Sequence, residues 1–342
     1  MNENNNYDYD YNMNGGKGPE KKPVWKKGLM IFAIVVLVVV LLGSACGRLI
    51  NSVLPHEAEE NLNFSGDYIG ILEVNGVMGQ EGYGEPYSQS YLLDHIDMMM
   101  ADSYNRGMIL SVNTPGGSVY DIDELYLKIM EYKEKTGRPV YTYMRDMAAS
   151  GGYYIAAGTD KIYANRNTWT GSIGVTVGTF MDASEFLNKM GIKTVTITAG
   201  ANKAMGSATE PMTEEQKAIF QGLVDDAYEQ FTGIVAEGRD MEMEKVKKLA
   251  DGRVYTAKQA LENGLIDEIG TIEDVIADMQ KRYELEDCET PVMRYEDKGS
   301  ILDILTGLAR GRDSAETEVE QVMNLMEKNN KFTITYLAPI SR

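Results

Sequence analysis

MILSVNTPGGSVYDIDELYLKIMEYKEKTGRPVYTYMRDMAASGGYYIAA, residues 108–157, decides the fold. A β-prone run at 108–112 (MILSV) leads into a Pro-Gly-Gly turn and a helical pattern at 118–135. A second such run at 139–144 (PVYTYM) leads into a Ser-Gly-Gly turn and a helix opening at Ser150. Strands joined by helical crossovers lie parallel, because a short turn cannot return the chain to the same end of a sheet. The same alternation extends outward. Upstream come a strand at 68–74 (YIGILEV) and a helix near 89–104; downstream come a strand near 161–164 (KIYA), a helix near 182–190 and a strand at 192–198 (IKTVTIT). A capping-box pattern, Thr213 to Gln216, then starts a long amphipathic helix with Ile219, Leu223, Ala227, Phe231 and Val235 on one stripe. Two further helices are predicted at 242–250 and 256–263, the second stopped by Gly264. The expected class is α/β around a parallel sheet.

The chain has 342 residues and a net charge of −19. Nucleic acid is excluded as a partner, because a phosphate backbone is held by clustered Lys and Arg, and none occurs outside the run Lys17, Lys21, Lys22, Lys26, Lys27. The two cysteines, Cys46 and Cys288, have neither metal-ligand spacing nor a disulfide framework. Residues 28–47 (GLMIFAIVVLVVVLLGSACG) are almost wholly apolar, and at ~1.5 Å per residue they reach the ~30 Å of a bilayer core. Lysines precede this run, while Arg48 is soon followed by Glu57, Glu59 and Glu60, which places the N-terminus inside and the remainder outside. A cleaved signal or lipoprotein peptide ending at Cys46 is the competing reading. Against it stand the length of the run and Gly43, where a lipidation box takes a large aliphatic residue. The expected organisation is a disordered cytoplasmic tail over 1–27, a transmembrane helix over 28–47, a linker over 48–65, a folded domain over 66–282 and an extension over 283–342. That extension ends in a β-prone run, Phe332 to Leu337, either a late strand or an exposed segment.

Both glycine pairs fall at a strand's carboxyl end, where open α/β sheets keep their sites. The turn at Pro115-Gly116-Gly117 leaves N–H groups facing outward, as a developing oxyanion requires, and Ser150 sits at the equivalent place beside the N–H of Gly151. Either turn alone is compatible with a structural role; together they make Ser150 a candidate nucleophile. A serine hydroxyl needs a base. Neither histidine suits it: His56 lies close to the apolar run, and His95 sits among Met98, Met99 and Met100 on a helix expected to pack on the sheet. No histidine follows Ser150, which directs attention to lysine.

PGGSV (115–119), MAASGGYYIA (147–156), TGSIGV (170–175), KAMGS (203–207) and GRVYTAKQALENGLIDEIG (252–270) together resemble the signal peptide peptidase A family, in its short single-domain form. The resemblance covers residues 66–280. It implies a crotonase/Clp-protease-like fold of stacked ββα units, here preceded by the transmembrane helix. It implies a serine protease with Ser150 as nucleophile, Lys203 as general base, Ser172 positioning the lysine ammonium, and Gly117 and Gly151 as oxyanion-hole donors, with no cofactor or metal. Ala257 departs from the glycine often found in that turn, away from the site. A free lysine, with a pKa of ~10.4, is rarely neutral at pH 7, so the implied role demands desolvation, for which Ala204 and Met205 are suitable neighbours. Arg253 and Asp267, in the late signature, read as structural ion-pair residues. The implied substrates are signal peptides left in a bacterial membrane, with the catalytic domain extracytoplasmic. The tandem long form takes its lysine from one copy and its serine from the other, so a single-copy chain is expected to form a homo-oligomeric ring in which Ser150 meets a neighbour's Lys203. An acyl-CoA hydratase-like enzyme or a non-catalytic scaffold on the same fold are the rivals.

Overall fold

The computed structural model describes residue 64 and residues 66–81, 85–296 and 335–338. The expected tail and membrane span, and most of the linker and extension, lie outside these residues. Among the described residues, no helix is long and apolar enough to cross a membrane.

Three long runs form the middle of a mainly parallel sheet: β1 (Tyr68–Asn75), β2 (Asn105–Thr114) and β4 (Val140–Ala149). Their side chains alternate between two cores, as a period of two requires. Leu72, Val74, Met108, Leu110, Val112, Val140 and Met144 enter the larger core. Ile69, Ile71, Ile109, Tyr141 and Tyr143 enter the smaller one. Because both faces are buried, the strands read as apolar runs rather than alternating ones.

The larger core is closed by α1 (Gln89–Ala101), α2 (Val119–Thr136), α3 (Gly151–Ala157), α5 (Glu214–Gly238), α6 (Met243–Leu249) and α7 (Ala257–Asn263). His95 is buried on α1, as expected. On α2, Ile122, Leu125 and Ile129 recur at helical spacing and are fully buried. Burial contributes roughly 2–3 kcal/mol for each such side chain, so Ile129→Ala costs about 2–5 kcal/mol. Gly137, in the left-handed region at φ 65°, ends α2. The smaller core lies under α8 (Ile272–Tyr283), which contributes Val275 and Met279. Capping boxes open α5 at Thr213, α7 at Thr256 and α8 at Thr271.

The sheet runs β7 (Val254–Thr256), β6 (Trp169–Gly171), β4, β2, β1, β9 (Val292–Met293). β4 forks: residues 141–144 pair with β5 (Lys161–Ala164), which carries β8 (Glu268–Ile269), whereas residues 147–149 pair with β6. This fork puts the end of β4, and therefore Ser150, beside β6 rather than β5. A third short strand, β3 (Gly116–Ser118), leaves the sheet after β2 and pairs with β10 (Thr335–Leu337). Of the two readings of the C-terminal run, the late strand holds for Thr335–Leu337.

Two expectations are corrected. After α4 (Ser184–Lys189), residues 192–198 are irregular rather than a strand, with Val195 84% and Ile197 93% exposed. A strand needs an edge for its N–H and C=O groups, and among the described residues none lies against this run. The stripe on α5 is buried only from Ala227 onward. Ile219 is half-buried and Leu223 exposed, because the first half of α5 packs with the 176–210 segment, through Phe220 on Phe180, and not on the sheet.

Candidate active site

The fork in β4 makes the site. At its end the Ser150 N–H donates to the Gly171 carbonyl at 2.7 Å, tying the turn to β6, and the Ser150 carbonyl accepts from Tyr154 at 2.9 Å to start α3. Between these constraints Ser150 adopts φ 55°, ψ −113°, a conformation that L-residues avoid. Such strain costs on the order of 1–3 kcal/mol and persists only where the surroundings enforce it. The side chain gives nothing back: Ser150 is 1% exposed, makes no helix cap, and its Oγ has no hydrogen-bond partner among the described residues. A buried hydroxyl without a partner, on a strained turn, is costly to stability and available for chemistry.

Backbone surrounds that hydroxyl. β3 is held on one side by Met78, whose N–H donates to Gly116 at 2.9 Å and whose carbonyl accepts from Ser118 at 2.9 Å. On its other side lies β10, with Tyr336 opposite Gly117. A Cβ on Gly116 would stand 1.8 Å from the Tyr336 carbonyl oxygen and 2.8 Å from the Gly151 nitrogen, so only glycine permits these atoms to converge. β10 is gripped from both edges: Thr335 exchanges N–H···O bonds of 2.9 and 3.0 Å with Thr176, and the Ala338 N–H donates to Pro115 at 2.7 Å. A peptide strand thus lies beside Gly117, its Tyr336 carbonyl oxygen and the Gly151 nitrogen both flanking the place where a Gly116 side chain would begin.

The Tyr336 side chain fills a pocket that the sequence analysis missed. Its ring stacks on Tyr154 at 5.1 Å and tilts on Phe231 at 4.9 Å, and its hydroxyl donates to the Ala227 carbonyl at 2.8 Å. Tyr154 is held in turn by Asp123, which accepts from its hydroxyl at 2.6 Å, and by Gln230, which donates to that hydroxyl at 2.7 Å. Burial, reinforced by the Asp123 carboxylate, pushes the Tyr154 phenol up, so it stays a neutral donor. The signal that could have found this pocket is spacing: Tyr154 stands one helical turn after Ser150, facing the buried end of the α5 stripe.

Ser172 follows Gly171, whose carbonyl receives the Ser150 N–H; it is buried, at φ 49°, and its N–H donates to Arg253 at 2.7 Å. Ser150, Gly151, Gly117 and Ser172 therefore share one neighbourhood. Lys203 does not join them within the chain. It lies on a turn, its N–H on Gly200 at 3.2 Å, and its side chain is exposed, so the desolvation expected of it is not met by its own chain. Arg253 and Asp267 are ion-paired as expected: Arg253 with Asp251, and Asp267 with Arg239, which holds it by two bonds of 3.1 and 2.7 Å. Cys288 is buried and free, while Cys46 and His56 lie outside the described residues.

Residues 132–286 match the family model described as Peptidase family S49. The chain is 36% identical over 263 residues to the putative signal peptide peptidase SppA of Enterococcus faecium, covering 75% of this chain and 76% of that one. It belongs to peptidase family S49. It is a serine protease. A putative protease of Methanocaldococcus jannaschii is 30% identical over 307 residues, or 88% of this chain and 97% of its own length. A chloroplastic serine protease SPPA of Arabidopsis thaliana is 32% identical over 250 residues, 71% of this chain but 36% of its own length. Ser150, Ser172 and Lys203 all fall within the segment matched to the S49 model, and Gly117 precedes it.

Proposed function

We propose that this S49 peptidase cleaves peptides through an acyl-enzyme on Ser150. Lys203 acts as general base, Ser172 orients the lysine ammonium, and the N–H groups of Gly117 and Gly151 stabilise the oxyanion. The observation that carries the reading is the extended segment on β3, its Tyr336 carbonyl packed on Gly116 near a strained, buried serine hydroxyl that has no hydrogen-bond partner among the described residues. Segment 335–338 stands where a substrate would stand, and we take it as occupying the groove until a substrate displaces it. The sheet and its crossover helices are compatible with stacked units of the crotonase and Clp-protease kind.

The base comes from a second copy. Lys203 is exposed in its own chain, and the segment leading to it carries Met190, Val195 and Ile197 on its surface. A head-to-tail ring would place that segment against a neighbour's Ser150 and bury both. The apolar run 28–47 anchors the domain to a bacterial membrane on its extracytoplasmic side, and remnant signal peptides are the substrates, in keeping with the name of the Enterococcus relative.

Mixing tests the arrangement. Ser150→Ala and Lys203→Ala proteins are each expected to be inactive on a fluorogenic peptide. Subunit exchange between them is expected to restore part of the activity, because some junctions then pair an intact serine with an intact lysine. Mixed assemblies shown to contain both variants yet lacking activity would place the dyad within one chain, and retained turnover by Lys203→Ala would remove the lysine from the mechanism.

A further inference from the structure

The strand beside Ser150 runs antiparallel to β3, Thr335 facing Ser118 and Leu337 facing Gly116. A peptide in this pose therefore carries its upstream residues past Ser118, the residue at which α2 begins. A cavity of about 860 Å³ begins at that point, lined by Ser118 and Val119 and continuing along α2 to Glu131, with Gln230 of α5 on its far side. Its wall also touches the groove's, because Gln230 and Asp123 both bond the Tyr154 hydroxyl, and Tyr154 stacks on Tyr336. From Tyr120 to Glu131 the helix rises roughly 16 Å. About five extended residues cover that length.

The lining has a definite chemistry. Tyr120 is 71% and Leu127 57% exposed, on one helical face about two turns apart, and they offer apolar surface. Asp123 and Glu124 accept hydrogen bonds only from neutral groups: Tyr154 and Gln230 on Asp123, Tyr120 and Gln89 on Glu124. Neither makes a salt bridge among the described residues. Glu131 is already paired with Lys128 and Lys135. Lys128 also lines the cavity but is held by Asp97 and Glu131, so Asp123 and Glu124 leave a net negative charge beside exposed aliphatic and aromatic carbon, which suits the long apolar stem and cationic head of Lys or Arg.

We infer that this cavity is an extended subsite for the upstream part of a peptide substrate, selecting Lys or Arg within about five residues before the segment that pairs with β3. The inference rests on the proposed reading of the β3 groove as the substrate groove, so binding and cleavage are measured separately. Labelled peptides share one core and differ only in a five-residue upstream extension carrying lysine, neutral residues or glutamate. On full-length Ser150→Ala protein at low salt, the lysine extension is expected to tighten binding about three- to tenfold over the neutral one. The gain shrinks at high salt and in the isosteric Glu124→Gln/Glu131→Gln variant. Leu127→Lys, which leaves both acids in place, is expected to shift the preference toward the glutamate extension. Equal binding of the three peptides by Ser150→Ala protein, or a lysine preference unchanged in both variants, would overturn the inference. If the peptides bind in the expected order but protein with Ser150 intact cleaves none of them, the subsite stands and the peptidase reading of the groove falls.

Discussion

Removing the Tyr336 side chain should release the groove. The segment that carries it is fixed by backbone bonds to Thr176, Pro115 and β3, but its largest buried element is the Tyr336 ring, fully enclosed by Tyr154 and Phe231, with its hydroxyl on Ala227. Truncating a buried aromatic to alanine costs about 3–5 kcal/mol in a packed site. Taking ~3 kcal/mol, Tyr336→Ala shifts the docked-to-open ratio roughly 150-fold toward open. A docked segment competes with substrate for one groove, so it raises KM by the factor of its own docking equilibrium and leaves kcat unchanged. Tyr336→Phe keeps the ring and loses one hydrogen bond of about 1 kcal/mol, which lowers KM roughly fivefold at most. The assay is steady-state cleavage of a short fluorogenic peptide. KM should fall in the order wild type, Tyr336→Phe, Tyr336→Ala, with deletion of 329–342 at least as low as the last. Unchanged KM across the series, or a fall in kcat that follows the truncation, would refute competition and make β10 a structural strand.

Three further outcomes follow from the same geometry. Gly116→Ala should depress kcat/KM by about 10²-fold or more, because its Cβ would enter the space taken by the strand carbonyl at 1.8 Å and its backbone sits at φ 100°; near-normal turnover would show that no peptide carbonyl passes there. For wild-type enzyme, kcat/KM should rise between roughly pH 6 and 10, since the free enzyme must present a neutral lysine, and a flat profile counts against the base. The third concerns Glu73, which is buried and receives Arg294 through bonds of 2.6 and 2.8 Å and Asn75 at 3.0 Å. The Arg294 guanidinium holds this carboxyl below the usual carboxylate range, so its contribution is complete above the unfolded value of ~4.3 and is lost as pH falls through the lower folded one. Glu73→Gln should therefore cost about 1.5–3 kcal/mol at pH 7, with the difference in denaturation midpoint closing at strongly acid pH; a difference independent of pH would assign the loss to packing.

Much of the fold was legible because its strands are local apolar runs and its helices carry their own start and stop signals. The runs at 68–74, 108–112 and 139–144 announced β1, β2 and β4, and Gly264 stopped α7 where a left-handed residue was needed. The fork of β4 was not legible. Nothing in VYTYMRDMAA says that its first half pairs with one strand and its second half with another, since pairing depends on the distant β5 and β6. The two turns that converge on Ser150 were visible as glycine pairs, but not the pocket for Tyr336. Its walls come from α3 and α5, more than seventy residues apart, and its occupant lies a further hundred residues on.

Two features of the segment before Ser207 share one physical cause. IKTVTIT has the alternation and β-branched content of a strand yet forms none, and KAMGS offers Lys203 apolar neighbours yet leaves it exposed. A strand is a property of a pair of edges, and a lysine loses its solvent only when a surface closes over it. The described part of one chain supplies neither an edge to residues 192–198 nor a cover to Lys203. On the proposed ring, a single contact with a neighbouring copy would satisfy both demands together: it would give residues 192–198 an edge, cover Val195 and Ile197, and carry Lys203 into a dry site opposite an unpartnered Ser150 hydroxyl. The two demands can be separated experimentally. Ile197→Asp should prevent assembly and, with it, peptide cleavage, although residue 197 is no part of the dyad and its exposed side chain contributes little to the fold of a single chain. Activity retained by a variant shown to be monomeric would require a lysine and a serine that meet within one chain.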